Sequence, residues 1–269
     1  MAEPLRLMCI FAHPDDESMG TGGLLAHYAA QGVETYLLTA TRGERGWQGK
    51  DKDNPGETAL GAIREKELRA AVDVLGIREL HFLDYIDGDL DQADPRQAIA
   101  RIVPHVRRLR PQVVVTFGLD GAYGHPDHIA ISQLTNAALV CAADSTYADG
   151  GNLPPHRVSK LYVMATTQAQ ADLFTALFGE MVMPVDGVGR GAVIIPEWEL
   201  SARIDARAHW ETAWKAVLCH ASQLPDISQM EGLSESQHRE LWGDQTYVRV
   251  YSLVNGGRKV ETDLFEGLR

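Results

Sequence analysis

The chain has 269 residues, 45% of them apolar and 23% charged, which excludes a disordered chain, a coiled coil and a collagen-like fibre. That length suits one large domain or two small ones and is enough to bury a core without disulfides or a structural metal. With 25 Lys+Arg against 37 Asp+Glu the net charge is −12, so the surface repels phosphate backbones and anionic membranes, and neither nucleic acid nor membrane is expected as a partner.

The first apolar run, Leu5 to Ala12, is broken by Arg6 and ends at His13-Pro14. It is too short to span a membrane and has the wrong flanks for a signal peptide, so a cytoplasmic protein is expected. The cysteines, Cys9, Cys141 and Cys219, lie far apart and are odd in number, which fits core thiols in a reducing compartment.

Leu5 to Phe11 reads as a strand, and Gly22 to Gln31 as a helix closed by Gly32. Val33 to Thr39 is a second strand, and the polar stretch Thr41 to Thr58 has no apolar period. Helical spacing over Ala59 to Leu75 stops at Gly76, followed by a strand at Leu80 to Leu83 and a helix from Pro95 to Leu109. Gln112 to Phe117 is the clearest buried strand. A helix from Pro126 to about Ala142 follows it, then a Gly/Pro-rich connector, Asp144 to Pro155. Leu161 to Ala165 reads as a strand, Ala169 to Phe178 and Ile204 to His220 as helices, and Thr246 to Leu253 as a late strand.

This alternation predicts an α/β fold: a Rossmann-like, doubly wound, mostly parallel sheet with helices on both faces and C-terminal additions to the same sheet. A single domain over residues 1–269 is expected, because no linker or internal repeat interrupts the pattern.

In such a sheet, chemistry gathers where strands end. Two strand ends carry unusual residues: Ala12-His13-Pro14-Asp15-Asp16-Glu17, and Gly121-Ala122-Tyr123-Gly124-His125-Pro126-Asp127-His128. Imidazole plus carboxylate is the donor set of catalytic zinc, which takes three protein ligands and keeps a fourth position open. His13 and Asp16, three apart on a tight turn, can converge on one ion, and His128 could complete the set. Asp15 then points elsewhere and is free to act as a base.

The plainer alternative is that Asp after Pro merely caps a helix and that each histidine is an ordinary core or surface residue. At ~5% usage per residue type, a given four-residue string arises by chance in about one chain of this length in six hundred. Two such strings after two strands therefore favour the metal site. Gly20-Thr21-Gly22-Gly23 does not make a dinucleotide site, because Leu25 stands where the third glycine belongs. Ser18 lacks the G-x-S-x-G context of a nucleophile elbow.

AHPDDE with a later GHPDH resembles the PIG-L (LmbE-like) zinc-dependent deacetylases, which remove acetyl groups from N-acetylglucosamine-type amino sugars. Thr39 with Gly43-Glu44, Arg64 with Glu67 running into Leu75-Gly76, and Lys215-Ala216 with His220-Ala221-Ser222-Gln223 extend the likeness to residues 5 to about 253. The resemblance implies one zinc per chain on His13, Asp16 and His128, with iron or manganese as the other candidates, and Asp15 as general base. It implies that His125 stabilises the oxyanion or protonates the leaving amine, and that Asp127 orients His125. Tyr123 would help polarise the amide carbonyl, or else pack the loop. Arg64 would contact substrate, or else pair with Glu67 on the helix surface, and Glu44 would hold sugar hydroxyls beside it.

No firm role is implied for His220. The stretches Arg42 to Thr58 and Gly179 to Gly191 would serve as substrate loops, the second as a lid. The expected partner is a small amino-sugar substrate, with a homo-oligomer left open. The rival readings are an amidase for a larger acyl group, and a non-catalytic metal- or nucleotide-binding module.

Overall fold

The computed structural model describes residues 3–148, 151–180, 182–185, 187–224 and 228–269, with backbone only for Met183, Val185, Ser228 and Gln229. In chain order the elements are β1 (Arg6–Phe11), α1 (Asp16–Ala30), β2 (Glu34–Thr41), α2 (Glu57–Leu75), β3 (Glu79–Tyr85) and α3 (Pro95–Leu109). They continue with β4 (Val113–Thr116), the turn α4 (Gly121–Gly124), α5 (Pro126–Ala143), β5 (Lys160–Met164) and α6 (Gln168–Phe178). A small hairpin, β6 (Val182–Val185) and β7 (Val188–Gly191), precedes β8 (Ala202–Asp205), α7 (Trp210–Cys219), α8 (Ser228–Glu231), α9 (Glu235–Gly243) and β9 (Asp244–Ser252).

Seven strands form one sheet in the order β3-β2-β1-β4-β5-β9-β8. The first five run parallel; β9 is antiparallel to β5 and β8 antiparallel to β9. Helices α1, α2, α7 and α9 pack on one another, and α3 packs on α5, so helices cover both faces. β1 and β4 lie at the centre, with Leu7 to Phe11 and Val113 to Val115 fully buried. A strand covered on both faces reads as a continuous apolar run, which is why these two segments stand out in the sequence.

From β1 the chain winds outward to β2 and β3, then returns to place β4 on the other side of β1. The reversal opens a crevice between the carboxyl ends of β1 and β4, the place where open α/β sheets bind ligands. Leu7, Met8 and Cys9 pair with Val113, Val114 and Val115, and the Phe11 and Phe117 rings meet edge-on 5.2 Å apart. Both histidine-bearing turns therefore leave the sheet side by side.

Two expectations need correction. α1 starts at Asp16, not Gly22, despite its glycines. Each glycine costs about 1 kcal/mol of helix propensity relative to alanine, but a Cβ at Gly23 would sit 2.2 Å from the Trp242 carbonyl oxygen. Close packing against α9 therefore outweighs local preference. Ile204 to His220 is not one helix: its start belongs to β8, paired with β9, and α7 begins only at Trp210. Within the expected lid, Met181 and Asp186 lie outside the described residues, as do Asp149 and Gly150 of the connector. Among the described residues no helix is long and apolar enough to cross a membrane.

Candidate metal centre

At the end of β1 the chain turns sharply into α1, and Asp15 takes a left-handed backbone conformation, φ 104°. For a non-glycine residue this costs roughly 1–3 kcal/mol and persists only where surroundings enforce it. Two contacts enforce it: the Asp15 N–H donates to Glu17 Oε2 at 3.0 Å, and Arg64 Nη2 donates to the Pro14 carbonyl at 2.6 Å. The turn gives successive carboxylates different partners. Asp16 Oδ2 accepts from the backbone N–H of His13 at 2.7 Å and of Ala12 at 3.1 Å, while Asp15 faces the cavity.

His13 Nδ1 lies 3.2 Å from His128 Nε2, His128 Nε2 lies 3.5 Å from Asp16 Oδ1, and His13 Nδ1 lies 3.9 Å from Asp16 Oδ2. Donors about 2.1 Å from a tetrahedral ion stand ~3.4 Å apart; the His13–His128 and His128–Asp16 Oδ1 distances match that spacing, while the contact between Asp16 and His13 runs through the other carboxylate oxygen, Oδ2. His125 also stands close, its ring 4.7 Å from His128 and 4.9 Å from His13. His13, His125 and His128 together could hold a metal ion, and so by distance could His13, Asp87 and Asp127.

Hydrogen bonding separates the two sets. Asp127 already accepts from the Gly88 N–H at 2.7 Å and the Leu90 N–H at 3.1 Å, and its Oδ2 lies 3.1 Å from His13 Nε2. Asp87 Oδ1 lies 3.0 Å from the same nitrogen. These carboxylates hold His13 Nε2 as a proton donor and leave Nδ1 facing the cavity. A metal-ligating histidine is oriented by such partners. His128 is fixed likewise, stacked 3.8 Å from Phe117, with Nδ1 3.3 Å from the Gly121 carbonyl oxygen.

The carboxyls favour a cation, whereas His13 must give up its Nδ1 proton to bind one. Burial pushes Asp16 up to about 7 and also raises Asp15, with the two carboxyls repelling each other while His13 and Arg64 oppose the rise. Burial disfavours charge on His13, yet Asp127 and Asp87 outweigh it and lift the imidazole to about 10. Crowded, desolvated carboxyls are what a bound dication would neutralise.

The remaining expected residues fall into three groups. Tyr123, half-buried, lines the cavity with its ring 6.0 Å from His125. Arg64 lines the cavity too, but it is engaged: Nη1 donates to the Gly43 carbonyl at 3.0 Å and Nη2 lies 3.3 Å from Asp15 Oδ2. A Cβ at Gly43, where φ is 67°, would sit 2.1 Å from Arg64 Nη1, so glycine there makes room for the guanidinium. Glu67, the alternative partner of Arg64, instead accepts from the Ser222 N–H and hydroxyl at 2.8 and 2.7 Å.

Glu44 is not among the cavity's lining residues; its carboxylate accepts the Asp87 N–H at 3.2 Å and steadies that loop. The carboxylate of Asp127 reaches His13, and it is the backbone N–H of Asp127 that donates to His125 Nδ1, at 3.2 Å. His220, fully buried, pairs with Glu17 at 2.8 Å, and Glu17 in turn holds the Asp15 N–H. Asp87 escaped the sequence reading, although a carboxylate just past the third strand of the same sheet was a signal for it.

The PIG-L family model, described as GlcNAc-PI de-N-acetylase, matches residues 8–139. A 1D-myo-inositol 2-acetamido-2-deoxy-alpha-D-glucopyranoside deacetylase of Kineococcus radiotolerans is 33% identical, the alignment covering 99% of this chain and 84% of that protein. The chain belongs to the PIG-L family. Among solved structures, N,N'-diacetylchitobiose deacetylase from Pyrococcus horikoshii superposes with a TM-score of 0.68 at 20% identity, covering 91% of this chain and 83% of that one. The 4-carboxy-2-hydroxymuconate hydratase GalB from Pseudomonas putida KT2440 does so at 0.67 and 19%, covering 94% and 99%. At these identities the two show the fold alone, and they are named for different reactions, so function has to be argued from the site.

Proposed function

We propose that this PIG-L family chain is a zinc-dependent N-deacetylase that hydrolyses the acetamide of an N-acetylglucosamine-type sugar or its conjugate and releases acetate. The substrate class is that of the Kineococcus relative's name, carried here on the shared motifs. We further take residues 1–269 as one domain and the protein as cytoplasmic.

His13, Asp16 and His128 would hold the ion, two imidazoles and a carboxylate being a donor set that suits zinc. Such an ion supplies Lewis acidity toward the amide carbonyl and acidifies water. Asp15 takes the proton from the attacking water. Arg64 opposes the rise that burial gives the Asp15 carboxyl. His125 and Tyr123, at the cavity wall on the α4 side, stabilise the developing oxyanion, and Asp15 or His125 delivers a proton to the departing amine. Asp127 and Asp87 act as positioning residues that set the tautomer of His13.

One observation carries the reading: the strained turn sets Asp16 beside the two histidines and Asp15, its neighbour, on Arg64 in the same cavity. Asp15→Asn is expected to keep its full complement of metal while acetate release from N-acetylglucosaminides falls by ~10²–10⁴. Near wild-type turnover in that variant would overturn the division of labour. Loss of metal instead would make Asp15 a ligand.

A further inference from the structure

The turn that follows α7, residues 220–223, takes no part in the chemistry above, yet the contacts that hold Asp15 lead back to it from two sides. The first arm runs through the Asp15 backbone, whose N–H donates to Glu17 Oε2 at 3.0 Å. The other oxygen of that carboxylate, Oε1, lies 2.8 Å from His220 Nε2 and also accepts from the Ser18 hydroxyl. Glu17, Ser18 and His220 are fully buried. His220 Nδ1 has no hydrogen-bond partner among the described residues, so the ring's hydrogen bonds run through Nε2. The second arm runs through the Asp15 side chain. Arg64 Nη2 lies 3.3 Å from Asp15 Oδ2 and donates to the Pro14 carbonyl. Glu67, one turn further along α2, is pinned by the Ser222 N–H and hydroxyl at 2.8 and 2.7 Å. Residues three apart share one face of a helix, so the same turn fixes where α2 presents its guanidinium.

A helix cap alone would account for the Glu17 Oε2 contact. It does not account for Oε1. A buried carboxylate is costly unless its remaining lone pairs are met, and the imidazole that meets them comes from 203 residues further along the chain. Asp16 needs neither arm, because its Oδ2 accepts from the Ala12 and His13 N–H groups. The two arms therefore bear on Asp15 and leave its metal-facing neighbour alone.

We propose that His220 and Ser222 are positioning residues for Asp15, His220 through Glu17 and the strained backbone of the turn, Ser222 through Glu67 and Arg64. The proposal rests on the deacetylase reading for what Asp15 does, not for how it is held. A reacting group misplaced by about 1 Å can cost ~10²-fold in rate, so loosening either arm lowers turnover while the metal donors stay in place.

The test compares His220→Leu, which removes the donor, with His220→Gln, whose amide keeps one, as zinc-loaded full chains well below their melting temperatures. His220→Leu is expected to lower kcat for acetate release from methyl N-acetylglucosaminide ~10–100-fold, with zinc content and KM unchanged. His220→Gln is expected to recover to within about threefold of wild type, a rescue that loss of packing alone would not give. In an Asp15→Asn background His220→Leu is expected to cost no more than about twofold, because residues acting through one group do not add. Exchange of the Asp15 amide, followed by NMR, reads the first arm without turnover. Its protection is expected to fall ~10-fold in His220→Leu and to return in His220→Gln. Where His220→Leu does not fold, Ser18→Ala removes the other donor to Glu17 Oε1 and carries the same expectations at about threefold. Ser222→Ala is expected to lower kcat about threefold and leave that protection as it is. A change in Asp15 protection with no acetate from the wild-type chain upholds the positioning and removes the deacetylase reading. Unchanged kcat and protection in the folded variants, loss of zinc, or a kcat loss that persists undiminished in Asp15→Asn overturns the positioning.

Discussion

Asp127→Asn separates two accounts of the second histidine turn. The Asp127 carboxylate, fully buried, faces three donors: the Gly88 N–H and His13 Nε2 on Oδ2, and the Leu90 N–H on Oδ1. An asparagine offers one acceptor oxygen. With that oxygen toward Gly88 and His13, its amide nitrogen opposes the Leu90 N–H, and a buried unsatisfied donor costs about 1–3 kcal/mol. The negative charge that favours the Nε2–H tautomer of His13 is lost as well, leaving Asp87 alone to hold it. Loss of such a partner typically lowers metal affinity 10–100-fold. Competition with a chelator of known affinity would measure it, alongside kcat at saturating metal. If Asp127 acts through His13, the apparent Kd for zinc rises by that factor and added metal restores most of the turnover. Unchanged zinc affinity with a fall in kcat that metal does not restore would refute this account and return Asp127 to a role on His125.

Three further outcomes are expected. Gly43→Ala should displace the Arg64 guanidinium and lower kcat by at least tenfold while zinc content stays at one per chain, measured by elemental analysis beside steady-state rates. Glu17→Gln and His220→Ala each break a buried ion pair and should lose ~3–5 kcal/mol in urea unfolding, the double variant losing less than the sum. Burial opposes ionisation of Glu261, but Lys160, Tyr162 and Asn255 outweigh it and hold its pKa below the usual carboxylate range. A depressed carboxyl stabilises the fold fully above its unfolded value, ~4.3, and ceases to do so as pH falls through the folded value. Thermal melts should therefore show wild type more stable than Glu261→Gln at neutral pH, the gap narrowing as pH falls below ~4.3.

What could be read from the sequence was whatever local chemistry encodes. Leu7 to Phe11 and Val113 to Val115 announce central strands because both of their faces are buried. Pro95 and Gly76 mark helix ends because one lacks an N–H and the other adopts φ 70°. The two histidine turns could be picked out by residue type alone. Placing them together required only the order β2-β1-β4, which alternation of strands and helices implies.

The misses share a different cause. β8 exists because Ala202–Asp205 finds β9 across the fold, a pairing no local period signals. Helix α9 did carry a signal, the Ser234–Gln237 capping box, in a stretch with little apolar periodicity to draw attention to it. Asp87 and the contact of the Asp127 carboxylate with His13 are long-range facts of the same kind: a carboxylate's residue type is visible, but which imidazole nitrogen it meets is decided by where β3 ends and α5 begins. That is why the two histidine turns stood out in the sequence while the contacts that support them did not. It also makes the His13 tautomer, set by contacts from two separate loops, the feature of this site most exposed to distant substitution. Changes at Gly88 or Leu90, whose N–H groups fix Asp127, should weaken zinc binding without altering a single donor atom. Leu90→Pro, which removes one of those N–H groups without demanding the φ of 84° that Gly88 holds, should raise the zinc Kd in the direction Asp127→Asn does; unchanged affinity in a folded variant would show that Asp87 suffices to hold His13.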